Sequence, residues 1–477
     1  MTQLPNDSKP TLQYRWQVQQ QDENTTLVYY GLRNFPKHTK NQISLSTETA
    51  LLLKNLDGFS TIQQIFTDLS SDCKNEITTL INEGVLVDAT SIRSPATKNS
   101  NRTCIRCVNN DYVIPGLEFN TDGVCAFCQC YENVADSGPV HGGTITDEEL
   151  LEASKNNPSR FDVMVLYTGG KDSSYLLWYL AKKLGLRVLA ATWDLPFTNE
   201  SSLNNMRAAR YKLPNVEFIE RSLPWDLVQK VSADLFDEVG LPCICPVISA
   251  VLLYPLAVAE KIPFVMDGVE AAQLIVLSKI MELPATSKAR QLSDRELTIR
   301  QVKRYIKPNI DSGDPWDQFL QLIKDKLGRA YDPLEHALAT TPSEELPLVK
   351  RLKSDEVYGS WNDVRTIIEK ELDWHMPKGQ KGLLHTSCDI ETVKDYSQFR
   401  RFTDMRTRNM PQSIIEISAA VHFNHITRED GFIELSERGY YEPPQELDIL
   451  LKKLKITPEG IASAPGELAC ICKKCSF

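Results

Sequence analysis

Within seven residues, Thr168-Gly169-Gly170-Lys171-Asp172-Ser173-Ser174 supplies a glycine pair, an ammonium, a carboxylate and three hydroxyls. That set suits a polyphosphate. Glycine lets backbone N–H groups approach an anion with no Cβ in the way. Lysine adds a full positive charge, and the hydroxyls donate hydrogen bonds. Asp172 is a candidate Mg²⁺ ligand, or else orients the turn. The flanking elements must present these groups together. Phe161-Asp162-Val163-Met164-Val165-Leu166-Tyr167 reads as a buried parallel strand. Tyr175 to Gly185 reads as a helix ended by glycine. A strand that turns into a helix offers unsatisfied N–H groups and the positive end of a helix dipole. The residue order is not the G-x-x-x-x-G-K-[ST] loop, because lysine and aspartate directly follow the glycines.

Cysteines give the second set of chemistry. Cys104-Ile105-Arg106-Cys107 and Cys125-Ala126-Phe127-Cys128 form two C-x-x-C knuckles at zinc-ribbon spacing. Four thiolates fill a tetrahedral Zn²⁺ shell and leave no place for water, so the expected site is structural. Cys130 reads as a bystander. Cys243 and Cys245, with the terminal Cys470, Cys472 and Cys475, form a candidate second site. It would take a second Zn²⁺ or an iron–sulfur cluster, or exchange thiols. Plain burial is the alternative for both groups. Cys388 stands alone in Thr386-Ser387-Cys388-Asp389.

The net charge of −10 argues against broad nucleic-acid binding, which leaves a basic footprint. No apolar window is long enough to span a membrane. Met1-Thr2-Gln3-Leu4-Pro5-Asn6-Asp7 lacks the charged and apolar regions of a signal peptide. The expected location is cytoplasmic, where the twelve cysteines are reduced and better read as metal ligands or redox groups.

The Thr168–Ser174 stretch resembles the S-G-G-x-D-S pyrophosphatase loop (PP-loop) of the adenine nucleotide alpha-hydrolase superfamily, with Thr168 keeping the hydroxyl of the usual first serine. Its members bind ATP so that a substrate oxygen attacks the α-phosphate and pyrophosphate leaves. Asp57-Gly58-Phe59-Ser60-Thr61-Ile62 and Glu83-Gly84-Val85-Leu86 resemble PqqD-like winged-helix domains, which bind leader peptides of ribosomally made, modified peptides. A purely scaffolding winged helix is the alternative. The two knuckles, the loop, Pro242-Cys243-Ile244-Cys245-Pro246, His385-Thr386-Ser387-Cys388, Val393-Lys394-Asp395-Tyr396 and Ile426-Thr427-Arg428-Glu429-Asp430 together resemble the N-acetyl sugar amidotransferase family. That resemblance implies ATP activation of a carbonyl-type oxygen and its replacement by nitrogen from a separate glutaminase. Two departures weaken a sugar substrate: Gly268-Val269-Glu270 stands where the family has Gly-Glu-Asn, and the peptide-binding-like unit is foreign to the sugar enzymes.

The expected fold is α/β. A PqqD-like unit spans 1–95, a zinc ribbon 96–135, and a doubly wound parallel-sheet (HUP-type) ATP domain 136–290. A helical insertion over the site spans 291–378, and a substrate or lid region with a cysteine-rich tail spans 379–477. Thr168, Gly169, Gly170, Lys171, Asp172, Ser173 and Ser174 should cradle the phosphates. Asp194, Gly268 and Glu270 lie at strand ends, where open α/β sheets bind ligands. Asp267 shares that rim, while Asn204 and Asn205 are either family-like ligands or surface residues. On the substrate side, His385 is a candidate general base near neutral pH, Lys394 a stabiliser of the attacking oxygen, and Asp395 a neighbour. Arg428 is expected to do no more than cap a helix. Partners would be a precursor peptide and a glutaminase or sulfur-donor protein, with a homodimer allowed. Sulfur insertion into a peptide or nucleic-acid base is an alternative activity, and a non-catalytic nucleotide-binding scaffold is another.

Overall fold

The computed structural model describes residues 4–21, 24–32, 42–135, 143–239, 243–269, 293–310, 315–353, 357–407, 410–445 and 447–455. The first unit runs β1 (Pro10–Leu12), β2 (Trp16–Gln21), β3 (Asn24–Tyr29), β4 (Gln42–Leu45), α1 (Thr47–Lys54), α2 (Ile62–Phe66), α3 (Ser71–Asn82) and β5 (Leu86–Asp88). Strands β2, β3 and β4 form an antiparallel sheet in that order, and β1 pairs with β5. Ser46 caps α1, accepting the Thr49 N–H, and Thr61 and Ser70 cap the next two helices. The sequence reading did not assign β1 and β2. Most of β2 is glutamine, so its period-2 signal is weak. Trp16 nevertheless packs on Tyr29, with ring centroids 5.2 Å apart, and joins Leu27, Leu53 and Ile77 in a small core.

The chain continues through α4 (Ala126–Ala135), β6 (Thr144–Ile145), α5 (Asp147–Lys155), β7 (Val163–Leu166), α6 (Lys171–Trp178), β8 (Val188–Asp194), α7 (Glu200–Lys212), β9 (Glu217–Ser222), α8 (Trp225–Val239), α9 (Cys245–Ala259) and β10 (Phe264–Met266). It then forms α10 (Asp294–Ile306), α11 (Pro315–Leu327), α12 (Asp332–Thr340), β11 (Leu348–Leu352), α13 (Trp361–Leu372), α14 (Ile390–Thr403), α15 (Gln412–His422), α16 (Arg428–Ser436) and α17 (Leu447–Leu454).

Six strands make one sheet in the order β6-β11-β10-β7-β8-β9, every pair parallel. The sheet is doubly wound, as expected. Val163, Val165, Val188 and Ala190 enter the core on one face. Met164, Leu189 and Ala191 enter the core on the other. One difference concerns the stretch read as a helical insertion. Its β11 lies inside the sheet, between β10 and β6. The charges of Lys350 and Arg351 hid that strand. Lys350 is buried, and Arg351 makes a bidentate pair with Asp267 at 2.6 and 2.8 Å. Helix α6 also starts four residues earlier than the apolar pattern suggested, so the second half of the loop is its first turn. It passes into a π-helical turn and ends at the left-handed Gly185.

The first unit docks on the rest of the chain. The buried Arg15 guanidinium donates to the Tyr30 carbonyl and to the Phe402 and Thr403 carbonyls at the end of α14. Leu32 donates to Pro115 O at 2.8 Å. A Cβ at Gly116 would lie 2.3 Å from Leu32 O, so only glycine fits that seam. No described helix is long and apolar enough to cross a membrane.

Candidate functional site

Strand β7 is where the sheet reverses direction: β8 and β9 extend to one side, β10, β11 and β6 to the other. The crevice at the carboxyl ends of β7 and β10 is therefore the ligand position of an open α/β sheet. The Thr168–Ser174 turn occupies it. Gly169 has φ +73°, and a Cβ there would lie 2.5 Å from Ser202 O. Gly170 is the N-cap of α6 and supplies no side-chain cap, leaving the first-turn amides to outside acceptors. One of them, Lys171 N–H, donates to Thr386 Oγ1 at 2.9 Å. Ser173 Oγ lies 3.1 Å from Thr168 Oγ1 and accepts the Thr168 N–H. Gly268, just past β10, packs on the same turn, since a Cβ there would lie 3.0 Å from Ser173 N.

The turn is braced from outside. Trp374 Nε1 and Asn205 Nδ2 both donate to Gly169 O, at 2.9 and 3.2 Å. Asn205 also exchanges hydrogen bonds with the His375 backbone. It is buried, while its neighbour Asn204 is exposed beside Arg207. Asn199 Nδ2 and Ser202 Oγ hold Thr386 O, each at 3.0 Å. Sequence reasoning missed Trp374, Asn199 and Ser202, because bracing by distant loops leaves no local pattern.

Two members of the cradle are turned inward. The Lys171 side chain is 2% exposed, paired with Asp172 and 4.6 Å from the centroid of the Trp361 ring. Its ammonium is held between Asp172 and the Trp361 face. Ser174 is buried, one helical turn in from Gly170. Both lie in the first turn of α6, which starts early. Asp172 stays a quarter exposed. Asp194, at the end of β8, accepts from Trp225 Nε1 at 2.8 Å. Glu270, Cys470, Cys472 and Cys475 lie outside the described residues.

Beyond Thr386 and Ser387 the chain enters α14, whose start carries the substrate-side candidates. Lys394 Nζ lies 2.8 Å from Glu391 Oε2, and His385 Nε2 lies 3.8 Å from the same oxygen. Burial pushes Glu391 up, but Lys394 and His385 prevail and hold it down at about 2. Burial opposes the Lys394 charge as well, yet Glu391 keeps it raised. His385 has φ +56°, and burial lowers its pKa to about 3 despite Glu391. Burial thus favours the neutral imidazole. Asp395 is fully buried and accepts from Ser413 Oγ. Burial pushes it up to about 6 against Arg438 and Lys394. Cys243, Cys245 and Cys388 are all half-buried.

The knuckle cysteines come together as expected. All four sulfurs lie within 4.8 Å of one another, with Cys104–Cys128 at 3.9 Å and Cys107–Cys125 at 3.7 Å. Backbone N–H groups of Arg106 and Cys125 point at Cys104 Sγ, and that of Asn109 at Cys107 Sγ. This donor set fits a closed tetrahedral metal shell. Arg428 does more than cap a helix. Thr427 caps α16, and the Arg428 guanidinium donates to Cys104 O and Cys107 O at 2.7 and 3.1 Å.

No protein-family model matches the chain. No curated protein matches it. Among solved structures it is similar to the U34-tRNA thiolase NcsA from Methanococcus maripaludis with its [4Fe-4S] cluster. Identity there is 15%, over 79% of this chain and 96% of that one, with a TM-score of 0.28. It is also similar to NMN synthetase from Francisella tularensis, at 14% identity over 47% of this chain and 85% of that one, with a TM-score of 0.21. At these scores neither similarity assigns a fold or an activity to this chain.

Proposed function

We propose that this chain is an ATP-dependent, AMP- and pyrophosphate-forming enzyme of the PP-loop type. The observation that carries the reading is the uncapped start of α6, at the end of the strand where the sheet reverses. The Gly169 and Gly170 backbone and the Thr168 and Ser173 hydroxyls would bind the β- and γ-phosphates and steady the leaving pyrophosphate. Asp172 would hold Mg²⁺, which neutralises charge on the phosphate oxygens. The substrate's carbonyl or carboxylate oxygen attacks the α-phosphorus and the bond to the pyrophosphate oxygen breaks. A nitrogen nucleophile then displaces AMP, leaving an amide-type product. Lys394, paired with Glu391, would supply positive charge for the attacking oxygen. The four knuckle cysteines would hold a structural Zn²⁺.

The acceptor oxygen belongs to a peptide on this reading. Strand β4 is at the edge of its sheet, open to a peptide that pairs as an added strand. A separate glutaminase would supply ammonia. Sulfur insertion is a second reading, prompted by the half-buried Cys243, Cys245 and Cys388 and by Thr386, just before Cys388, holding the Lys171 amide. To test this, the full chain is incubated with ATP, Mg²⁺ and candidate precursor peptides, with ammonia or sulfide in parallel arms. Pyrophosphate release and a peptide mass change for oxygen replaced by nitrogen are expected. A mass change for sulfur selects the second reading. Peptide-dependent phosphate release without pyrophosphate sinks both, and tight nucleotide and peptide binding with no turnover makes the chain a scaffold.

A further inference from the structure

His385 has a left-handed backbone, φ +56°, a conformation that a side chain disfavours. It is pinned there from both sides. Before it, the buried Glu434 carboxylate accepts the N–H groups of Leu383 and Leu384, and Gln380 Nε2 donates to Leu384 O at 3.0 Å. After it, Asn199 and Ser202 hold Thr386 O, and Thr386 Oγ1 accepts the Lys171 N–H of the phosphate-type turn. Strain that the surroundings enforce marks a position with work to do.

The ring is also held in one protonation pattern. His385 Nε2 lies 3.3 Å from Ser413 Oγ. Ser413 has one hydroxyl hydrogen, and it goes to Asp395 Oδ1. Arg438 Nη1, 3.6 Å from Asp395 Oδ2, favours the charged, accepting form of that carboxyl. Toward His385, then, the Ser413 oxygen can only accept. The other neighbour of Nε2 is Glu391 Oε2 at 3.8 Å, kept a carboxylate by Lys394 at 2.8 Å. Both neighbours call for a hydrogen on Nε2, which leaves the lone pair on Nδ1. Nδ1 makes no hydrogen bond to a described residue, and the side chain keeps 14% exposure, so the ring is not sealed off.

We propose that His385 is a neutral hydrogen-bond acceptor that receives, at Nδ1, an N–H of the nitrogen nucleophile, with Ser413 and Asp395 as positioning residues that fix its tautomer. This role rests on the ATP-dependent amidating reading above. A nucleophile held through an N–H keeps its own lone pair free to attack. An imidazolium or a lysine in that place has only hydrogens to offer and would tie up the lone pair instead.

The test is nitrogen NMR of full-length chain labelled at the imidazoles of its seven histidines, with H385Q assigning the signals of His385. Spectra are taken at about pH 8, where Asp395 is ionised. Wild-type His385 is expected to show a protonated Nε2 and an unprotonated Nδ1. S413A should lose this single tautomer and give a mixture, and S413T, which keeps the hydroxyl, should restore it. Ammonium chloride added with ATP and Mg²⁺ should move the Nδ1 signal and leave Nε2 in place. A hydrogen on Nδ1 in the wild type overturns the proposal even where S413A fails to fold. An unchanged tautomer in folded S413A removes the positioning role of Ser413 and Asp395, and an Nδ1 signal that ammonia does not move removes the ligand. The signals are read without turnover, so failure here is separate from failure of the ATP-dependent reading, which pyrophosphate release reports.

Discussion

The two groups of cysteines solve opposite problems with the same atom. Around Cys104, Cys107, Cys125 and Cys128 every sulfur is within reach of the other three and none is exposed. Backbone amides point at the sulfurs and Arg428 locks the carbonyls behind them. Such a site gives metal-binding energy to folding and has nothing left to offer a substrate. Cys243, Cys245 and Cys388 are half-buried, and the segment before Cys388 is tethered to the turn that ends β7. After Cys388, Glu391 and Lys394 pair at 2.8 Å, and burying charge costs stability unless function repays it. Closure on all sides makes a cysteine cluster structural.

The sharpest way to break this contrast is to remove one thiol from each group. Cys104→Ser should cost about 5 kcal/mol or more, a large share of a domain's stability, and show as insoluble protein or a lost cooperative melt. Cys245→Ser should stay within about 1 kcal/mol of wild type in urea titrations. Equal losses would erase the distinction.

The next effect is a pH dependence just before Cys388. His385 is pulled below its unfolded pKa, so the unfolded chain binds more protons between about pH 6.5 and 3. Its contribution is present above pH 6.5 and is lost as the pH falls toward 3. Between pH 6.5 and 5 the loss is about 2 kcal/mol. His385→Asn, which accepts the left-handed backbone, should flatten that limb in chemical denaturation. An unchanged slope would mean that His385 is not kept neutral. The smallest effect sharpens the closed site. Arg428→Ala should cost about 1.5 kcal/mol and speed zinc loss to a chelator.

The parts legible in the sequence are those written in local pattern. Glycines, lysine and aspartate in order marked the turn, and paired C-x-x-C marked the closed cluster. Apolar runs marked β7, β8 and β10. What was hidden depends on contacts between distant segments. β11 carries Lys350 and Arg351 in its middle, and only Asp267 on a neighbouring segment makes Arg351 tolerable there. The contact of Lys171 with Trp361, nearly two hundred residues away, has no local signature either. Asn204 and Asn205 are equivalent on paper, yet one faces solvent and the other holds up Gly169.

Arg15 ties the outlying unit to this chemistry through a single rigid strut. It grips the last carbonyls of α14, and the first turn of the same helix carries Glu391 and Lys394. Fourteen residues of helix span about 20 Å, so the grip and the charges sit at opposite ends of one rod. A helix transmits displacement along its axis with little loss, because its hydrogen bonds lie parallel to that axis. Arg15, itself left-handed at φ +79°, thus fixes one end of a rod whose other end carries an ammonium and a carboxylate.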